Sequence, residues 1–373
     1  MIMQKDFHYY ATYCAAYLAG YTHNECMDIC YSAQLVDHCS ATLLKKLKAP
    51  VEAATTQLQL ELMDIKTDIA GLQNITRIWA SFHFLPFDLY ATRKWAPKMY
   101  LNKYRLICDT NSDLLVETVK LAKNKGTQAA GIAMHVLADT WAHRYFAGTP
   151  SFVINNTNYY FYEIIPDGDG YTERPVKFIH NPSAPDDHEN GIYVNSLHQN
   201  SETSVMNLGH GRAGHLPDYS YARYRYLPAW GDYEEIVKDN PSDYMNAFCQ
   251  MIYALKYLHG EEPAFEKNRY DAEAVEPWRE KIKAILEKRQ TDACEDWKNL
   301  AEEMSGNEIG DFDIGKYQNE YTDSSDRDST YLGRFIAAAI AQKSMVTHHI
   351  YKSGSKLAGV SITKKSMKGV SDK

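Results

Sequence analysis

Two histidines and an aspartate at intervals of four, His135, Asp139 and His143, stand in a segment from Gly131 to Phe146 that is otherwise almost wholly small or apolar: Gly-Ile-Ala-Met-His-Val-Leu-Ala-Asp-Thr-Trp-Ala-His-Arg-Tyr-Phe. Nothing in it breaks a helix, and it reads as a largely buried one. Residues four apart on a helix are offset by about 40°, so the three side chains share one stripe of roughly 80° of arc. A carboxylate buried there alone is strongly disfavoured or takes up a proton, so the stripe calls for a cation or a hydrogen-bond network. Imidazole and carboxylate together are the usual donor set for zinc and its neighbours. The competing reading is a satisfied polar cluster that ties helices together.

Other residues of the same chemical types are scattered along the chain. Residues 5 to 19 have helical spacing, stop at Gly20 and carry Asp6 and His8. Thr22-x-x-Glu25 is a capping box that opens a second helix ending near Asp37-His38. A carboxylate at a helix C-terminus opposes the macrodipole by less than about 1 kcal/mol, so Asp37 is a hint of a cation. His83 lies among aromatics just before Pro86, either buried and hydrogen-bonded or a ligand. In Asn207-Leu-Gly-His-Gly-Arg-Ala-Gly-His-Leu-Pro-Asp-Tyr219, three glycines let backbone approach closely, and His210, His215 and Asp218 are further ligand candidates unless the segment is only a tight turn. Arg144, Arg212 and Tyr219 are the candidates to meet a phosphate, though an arginine is as often a surface residue.

The elements that must position these groups read as helices for most of the chain. Beyond those already named, helical pattern covers 111 to 124, 244 to 258 with Ser242 as cap, charged surface-like stretches from about 273 to 303, and 331 to 351. Leu58, Leu60, Leu62, Ile65 and Ile69 lie in a stretch, 43 to 76, that fits helix or strand. From 150 to 230 the turn formers Asn155, Asn156, Asn158, Asp167 to Gly170 and Pro182 to Asp187 predict a long irregular insertion with one hairpin, of a length that is usually functional. The expected organisation is mainly α: a single helical domain over 1 to 351, the insertion contributing to the site, and a disordered basic tail over 352 to 373.

Composition narrows the function classes. A chain of 373 residues with 45% hydrophobic and 24% charged residues is ordinary globular material, and a net charge of -8 argues against a protein that grips duplex nucleic acid through its phosphates. The seven cysteines form no four-cysteine zinc pattern; Cys26-x3-Cys30 stands without a second pair, which predicts reduced, structural thiols. No signal-like apolar segment opens the chain and no 18-residue apolar run occurs, so a cytoplasmic protein without a transmembrane segment is expected. The 28 tyrosines suit irregular cores and binding clefts alike.

Taken in order, His8, Asp37, His83, His135-x3-Asp139, His143 and His210 resemble the ligand series of the all-helical superfamily of zinc-dependent phospholipase C and single-strand-specific zinc nucleases. More closely, Asp6-Phe-His-Tyr-Tyr, Ala33-Gln-Leu-Val-Asp37, Phe82-His-Phe-Leu-Pro86, the 131 to 143 segment and Gly209-His-Gly are similar to an uncharacterised bacterial family, domain-of-unknown-function family 6765. The resemblance covers roughly residues 5 to 230. It implies a phospholipase C/nuclease-like helical core and two or three zinc ions: one on Asp37, His83, His135 and Asp139, a second on His143 and His210, a third on His8 with Asp139 bridging. The chain departs from the characterised enzymes in two places. Residues precede His8 where those use a processed N-terminal Trp, so Asp6 is a candidate substitute; and Gly214 stands where their late carboxylate falls, leaving His215 or Asp218. The expected function is a metal-dependent hydrolase of phosphoester bonds, in a small molecule, lipid, nucleotide or nucleic acid, with Asp139 orienting a metal-bound hydroxide and Arg144 and Arg212 assisting. The alternative is a binding or structural protein whose metals only hold helices together. A third reading, the helical phosphohydrolases with an adjacent His-Asp pair, ranks last because the pair is missing.

Overall fold

The computed structural model describes residues 5–64, 68–157, 160–181 and 183–360. Ile65, Asn158, Pro182 and the tail from 361 onward, all drawn on above, lie outside them. The architecture is mainly helical with a small amount of sheet, and its centre is the segment that carries the His-Asp-His stripe.

Helices come in chain order as follows. A single turn of π-helix, Asp6–Ala11, runs straight into α1, Thr12–Leu18. The capping box forms as written: Thr22 caps α2, His23–Leu35, with its side chain on the Glu25 N–H and the Glu25 carboxylate on the Thr22 N–H at 3.0 Å. The stretch 43 to 76 is helical and not strand in its described residues: α3 Ala41–Lys46, a 3-10 turn Val51–Ala53, α4 Gln59–Asp64 and α5 Ile69–Phe82, with Ser40 and Asp68 as caps of α3 and α5. Next are α6 Lys98–Tyr104, α7 Asp113–Ala122 and α8 Thr127–Ala142. After the short α9, Phe152–Asn155, the sheet region intervenes, and the chain closes with α10 Asn240–His259, α11 Arg279–Glu287, α12 Cys294–Ser305, α13 Gln318–Asp323 and α14 Tyr331–Lys352. Helix α10 starts before the expected Ser242, because Pro241 is favoured in a first helical turn, where no N–H partner is needed.

Every residue of α8 from Gln128 to Ala142 is buried, which follows from a sequence with no polar face: α2, α10, α14, α7 and α5 surround it. Gly131 sets the closest crossing. A Cβ there would stand 2.4 Å from the Ile29 carbonyl oxygen and 2.6 Å from the Ser32 Cβ, so α2 lies against bare α8 backbone.

The insertion holds more sheet than the one hairpin expected of it. β1 (Phe161–Asp167) and β2 (Gly170–Pro175) form a hairpin, and β5 (Arg223–Tyr226) and β6 (Ile236–Asp239) extend it into a four-stranded antiparallel sheet in the order β2-β1-β5-β6. Of the two strands that the sequence suggests, Phe161 to Ile165 and Val176 to His180, the first lies in this hairpin and the second pairs outside it. Two short strands, β3 (Lys177–Ile179) and β4 (Ile192–Val194), pair in parallel. Arg-Tyr-Arg-Tyr in β5 alternates outward arginine with buried tyrosine, and Tyr226 stacks on Phe146 at 5.9 Å between ring centroids, which docks the sheet beside the end of α8. Among the described residues no helix is long and apolar enough to cross a membrane. All seven cysteines are free thiols.

Candidate metal centre

Five histidines and three aspartates from six separate segments converge around α8, each at most 3% exposed. The π-helical turn brings His8: its extra residue per turn, closed by the Thr12 N–H on the Phe7 carbonyl, sets the imidazole against that of His135, with ring centroids 3.9 Å apart. His135 and Asp139 come from the middle of α8, and His143 from its C-cap. Asp37 follows the end of α2, and His83 is the C-cap of α5. His210 sits after Gly209, whose φ of +54° and clearance of 2.3 Å between an added Cβ and the Phe84 ring admit only glycine. Phe84 packs in turn against both His143 and His210, at 4.8 and 5.9 Å. Asp218 closes the 3-10 turn Leu216–Asp218, with Pro217 in its middle; Asn240 holds that turn by donating to the carbonyls of Leu216 and Tyr219 at 2.9 and 2.8 Å.

The side chains form three groups: His8, His135 and Asp139; Asp37, His83 and His135; His143, His210 and Asp218. Asp139 joins them. Its Oδ1 lies 3.2 Å from His8 Nε2, and its Oδ2 lies 3.1 Å from His83 Nδ1, 3.2 Å from His135 Nε2 and 3.5 Å from His143 Nδ1. Asp37 Oδ1 stands farther back, 3.9 Å from His83 Nδ1 and 3.8 Å from His135 Nε2. Asp218 Oδ1 is 3.2 Å from His143 Nε2 and 3.4 Å from His210 Nε2.

Four of the rings are fixed by backbone on their far side. His135, His143 and His210 direct Nδ1 to the carbonyls of Ala33, His83 and Gly214 at 2.9, 2.8 and 2.8 Å, and His83 directs Nε2 to that of Thr55 at 3.1 Å. A carbonyl only accepts, so each of those nitrogens carries a proton, and the other nitrogen of a neutral ring presents a lone pair to the centre. Burial pushes His8 below its ordinary range and His83, His135 and His210 down to about 4, so these rings are neutral at pH 7. Asp218 is held down to about 2, because His210 and His143 outweigh the burial that opposes ionisation. His83, His135 and His210 therefore set lone pairs against carboxylate oxygens, whereas Asp139 and Asp218 outweigh burial at His143 and raise it above its ordinary range. His8 Nδ1 and Nε2, Asp37 Oδ1, Asp139 Oδ1, His210 Nε2 and Asp218 Oδ2 are all buried without a hydrogen-bond partner among the described residues. Such an arrangement is repulsive on its own and fits divalent cations, with backbone carbonyls fixing the tautomers from outside. Burial and the nearby charge of Asp139 push Asp37 well above the ordinary carboxylate range, a penalty that a cation between the two would reverse.

Of the sequence candidates, the seven main ones, His8, Asp37, His83, His135, Asp139, His143 and His210, lie in these groups. Of the three lesser ones only Asp218 does. Asp6 is turned away, its carboxylate accepting the N–H groups of Phe7 at 2.7 Å and Ala293 at 3.3 Å. His215 points to Asp186 instead, Nδ1 to Oδ2 at 3.0 Å, on an oxygen that Tyr219 also contacts at 2.6 Å. Arg144 is ion-paired with Asp109 and Asp243, and Arg212 donates to the Ser196 carbonyl. Neither arginine is in the centre: both are held by partners elsewhere in the chain. The accepting carbonyls of Ala33, Thr55 and Gly214 carry no side-chain signal and are not legible in the sequence. A cleft of about 420 Å³ opens onto Asp37 and is walled by Gln57, Met63, Trp79, Ser196 and His215.

A model of the family of unknown function DUF6765 matches residues 3–350, and the chain belongs to that family. No curated protein and no solved structure matches it.

Proposed function

We propose that the chain is a zinc-dependent hydrolase of phosphoester bonds, of the phospholipid or nucleotide and nucleic-acid class. The observation that carries this reading is the convergence of eight buried imidazole and carboxylate side chains, several of whose nitrogens and oxygens have no hydrogen-bond partner among the described residues. Asp37, His83, His135 and Asp139 would hold one cation, His143, His210 and Asp218 a second, and His8 a third with Asp139 shared. A donor set of imidazole and carboxylate without thiolate suits zinc. Bound there, divalent ions would supply Lewis acidity and make a water molecule acidic near neutral pH. The chain's own part is to fix the tautomers through the four carbonyls, to keep Asp139 ionised at the junction, and to exclude bulk water by burying every ligand. The order of ligands along the chain, which resembles that of the zinc phospholipase C and nuclease superfamily, supports the phosphoester class.

A purely structural metal site is closed by four protein ligands, whereas a catalytic one keeps a position open to solvent and substrate. The cleft that reaches Asp37 favours the catalytic reading over a metal-stabilised binding protein. The test is a panel of phosphodiester, phospholipid and single-stranded nucleic-acid substrates, assayed with the wild type and His135→Ala side by side in the presence of zinc. Turnover of one class by the wild type, lost in the variant, is expected. Turnover of none, with zinc bound, would leave the binding-protein reading.

A further inference from the structure

A second pocket lies on the other side of the 52–57 segment from the cleft. It measures about 510 Å³, within the range of small-molecule sites, and is formed by α3, the Val51–Ala53 turn, α5 and α14. Its cations are Lys45, Arg77 and Lys343. Lys343 is 7% exposed and directs its ammonium at two main-chain carbonyls, those of Glu52 at 2.7 Å and of Ala54. Arg77 donates Nε to the Ala358 carbonyl at 3.1 Å. Among the described residues neither forms a salt bridge with a carboxylate; Glu52, the one acid in the wall, is exposed. The Thr347 hydroxyl, on a residue 4% exposed, also faces this pocket without a hydrogen-bond partner.

A buried ammonium and a half-buried guanidinium without a carboxylate, beside an orphaned hydroxyl, suit a ligand that is negative and rich in acceptors. That they occur in a chain of net charge -8 makes a general basic field a poor explanation. We propose that this pocket binds a small organic oxyanion, whose phosphate or carboxylate head meets Arg77, Lys343 and Thr347 while its body lies on Val51, Ile78 and Ile340. Guanidinium, ammonium and hydroxyl donors together suit several oxygens on one head, and the apolar wall suits a molecule larger than the head alone. Burial draws Lys343 down to about 8, which still leaves it mostly charged at pH 7. The pocket is separate from the metal groups but touches their cleft: Gln57 lines both, with its Oε1 on Trp79 Nε1 at 3.1 Å.

Isothermal titration calorimetry of the full chain with phenyl phosphate, phenylacetate and benzyl alcohol tests this. One of the two anions binds and benzyl alcohol does not; which anion binds identifies the head. Arg77→Gln weakens that binding about tenfold or more, the usual effect of losing a charge-assisted hydrogen bond. Thr347→Val is nearly isosteric and Lys45 is exposed, so the double variant Thr347→Val/Lys45→Ala carries the same test even if Arg77→Gln folds poorly, and it also weakens binding several-fold. Wild-type affinity in both variants would put the anion elsewhere and overturn the proposal. So would benzyl alcohol binding as tightly as the anions, which would make the cavity merely apolar, or no binding by either anion.

Discussion

Asp139 shows what one buried carboxylate is asked to do. Its two oxygens stand within 3.5 Å of four imidazole nitrogens from three segments, and burial, which alone would protonate it, is outweighed by His143, His135 and His8, which hold it well below the usual carboxylate range. Replacing it with asparagine keeps the shape and removes the charge. Protein purified without chelator should carry about two or three zinc-like ions per chain by the number of ligand groups. Asp139→Asn should carry one or none by elemental analysis, and full occupancy in that variant would reduce the stripe to a polar core network. Asp6 allows a different test. Burial pushes its carboxyl up to about 7 from an ordinary 3.8, so between those values the unfolded chain has released the proton while the folded chain keeps it. Stability therefore falls as pH rises across that window and levels off above it, by a contribution on the order of 2–4 kcal/mol. The difference between wild type and Asp6→Asn in urea unfolding, followed from pH 4 to 8, should show that slope. A constant difference would mean that Asp6 titrates normally.

At the scale of elements, the centre depends on how closely α2 and α8 cross. Gly131 removes a side chain where α2 backbone needs the room, and the same crossing brings the Ala33 carbonyl to His135 and Asp37 to the end of the stripe. Gly131→Ala should destabilise the fold by roughly 2–3 kcal/mol, as overpacking of a filled core does, and should lower metal content along with it. Thermal unfolding and metal analysis of the same sample check both; a loss of stability with full metal content would separate the crossing from the site. Helix boundaries were largely legible: the Thr22 capping box, the burial of α8 and the long last helix all follow from local pattern. The π-turn under His8 was not, because its cause is tertiary. The turn buries Phe7 between Tyr244 and Trp297, and it gives the Asp6 carboxylate a backbone partner at Ala293. The second pair of strands was missed for a related reason. β5 and β6 are four residues each; β5 gains its stability from pairing with β1 and from stacking its tyrosines on Phe146 and Phe161, and β6 from pairing with β5, none of which a window of sequence contains.

For the molecule as a whole, cations that bind only the folded chain add stability by mass action, about 4 kcal/mol for a site at a free concentration 1,000 times its dissociation constant. Removing them with excess chelator should lower Tm substantially, and adding zinc back should restore it. An unchanged Tm in a chain shown to contain no metal would sink the metal centre and the hydrolase reading with it. The residue types of the centre were determined by sequence alone: an aspartate between two histidines at intervals of four on an apolar helix is an arrangement whose cost local chemistry makes plain. So was the mainly helical character, since periodicity is a property of neighbours. Which distant groups complete the stripe was decided only in three dimensions. Asp218 enters and His215 does not, although both follow His210 within eight residues, because Pro217 and Asn240 fold the turn so that the carboxylate faces His143 and the imidazole faces Asp186. Arg144 and Arg212 are drawn off to partners elsewhere. A ligand set is a statement about distances between segments, and a sequence supplies the segments without the distances.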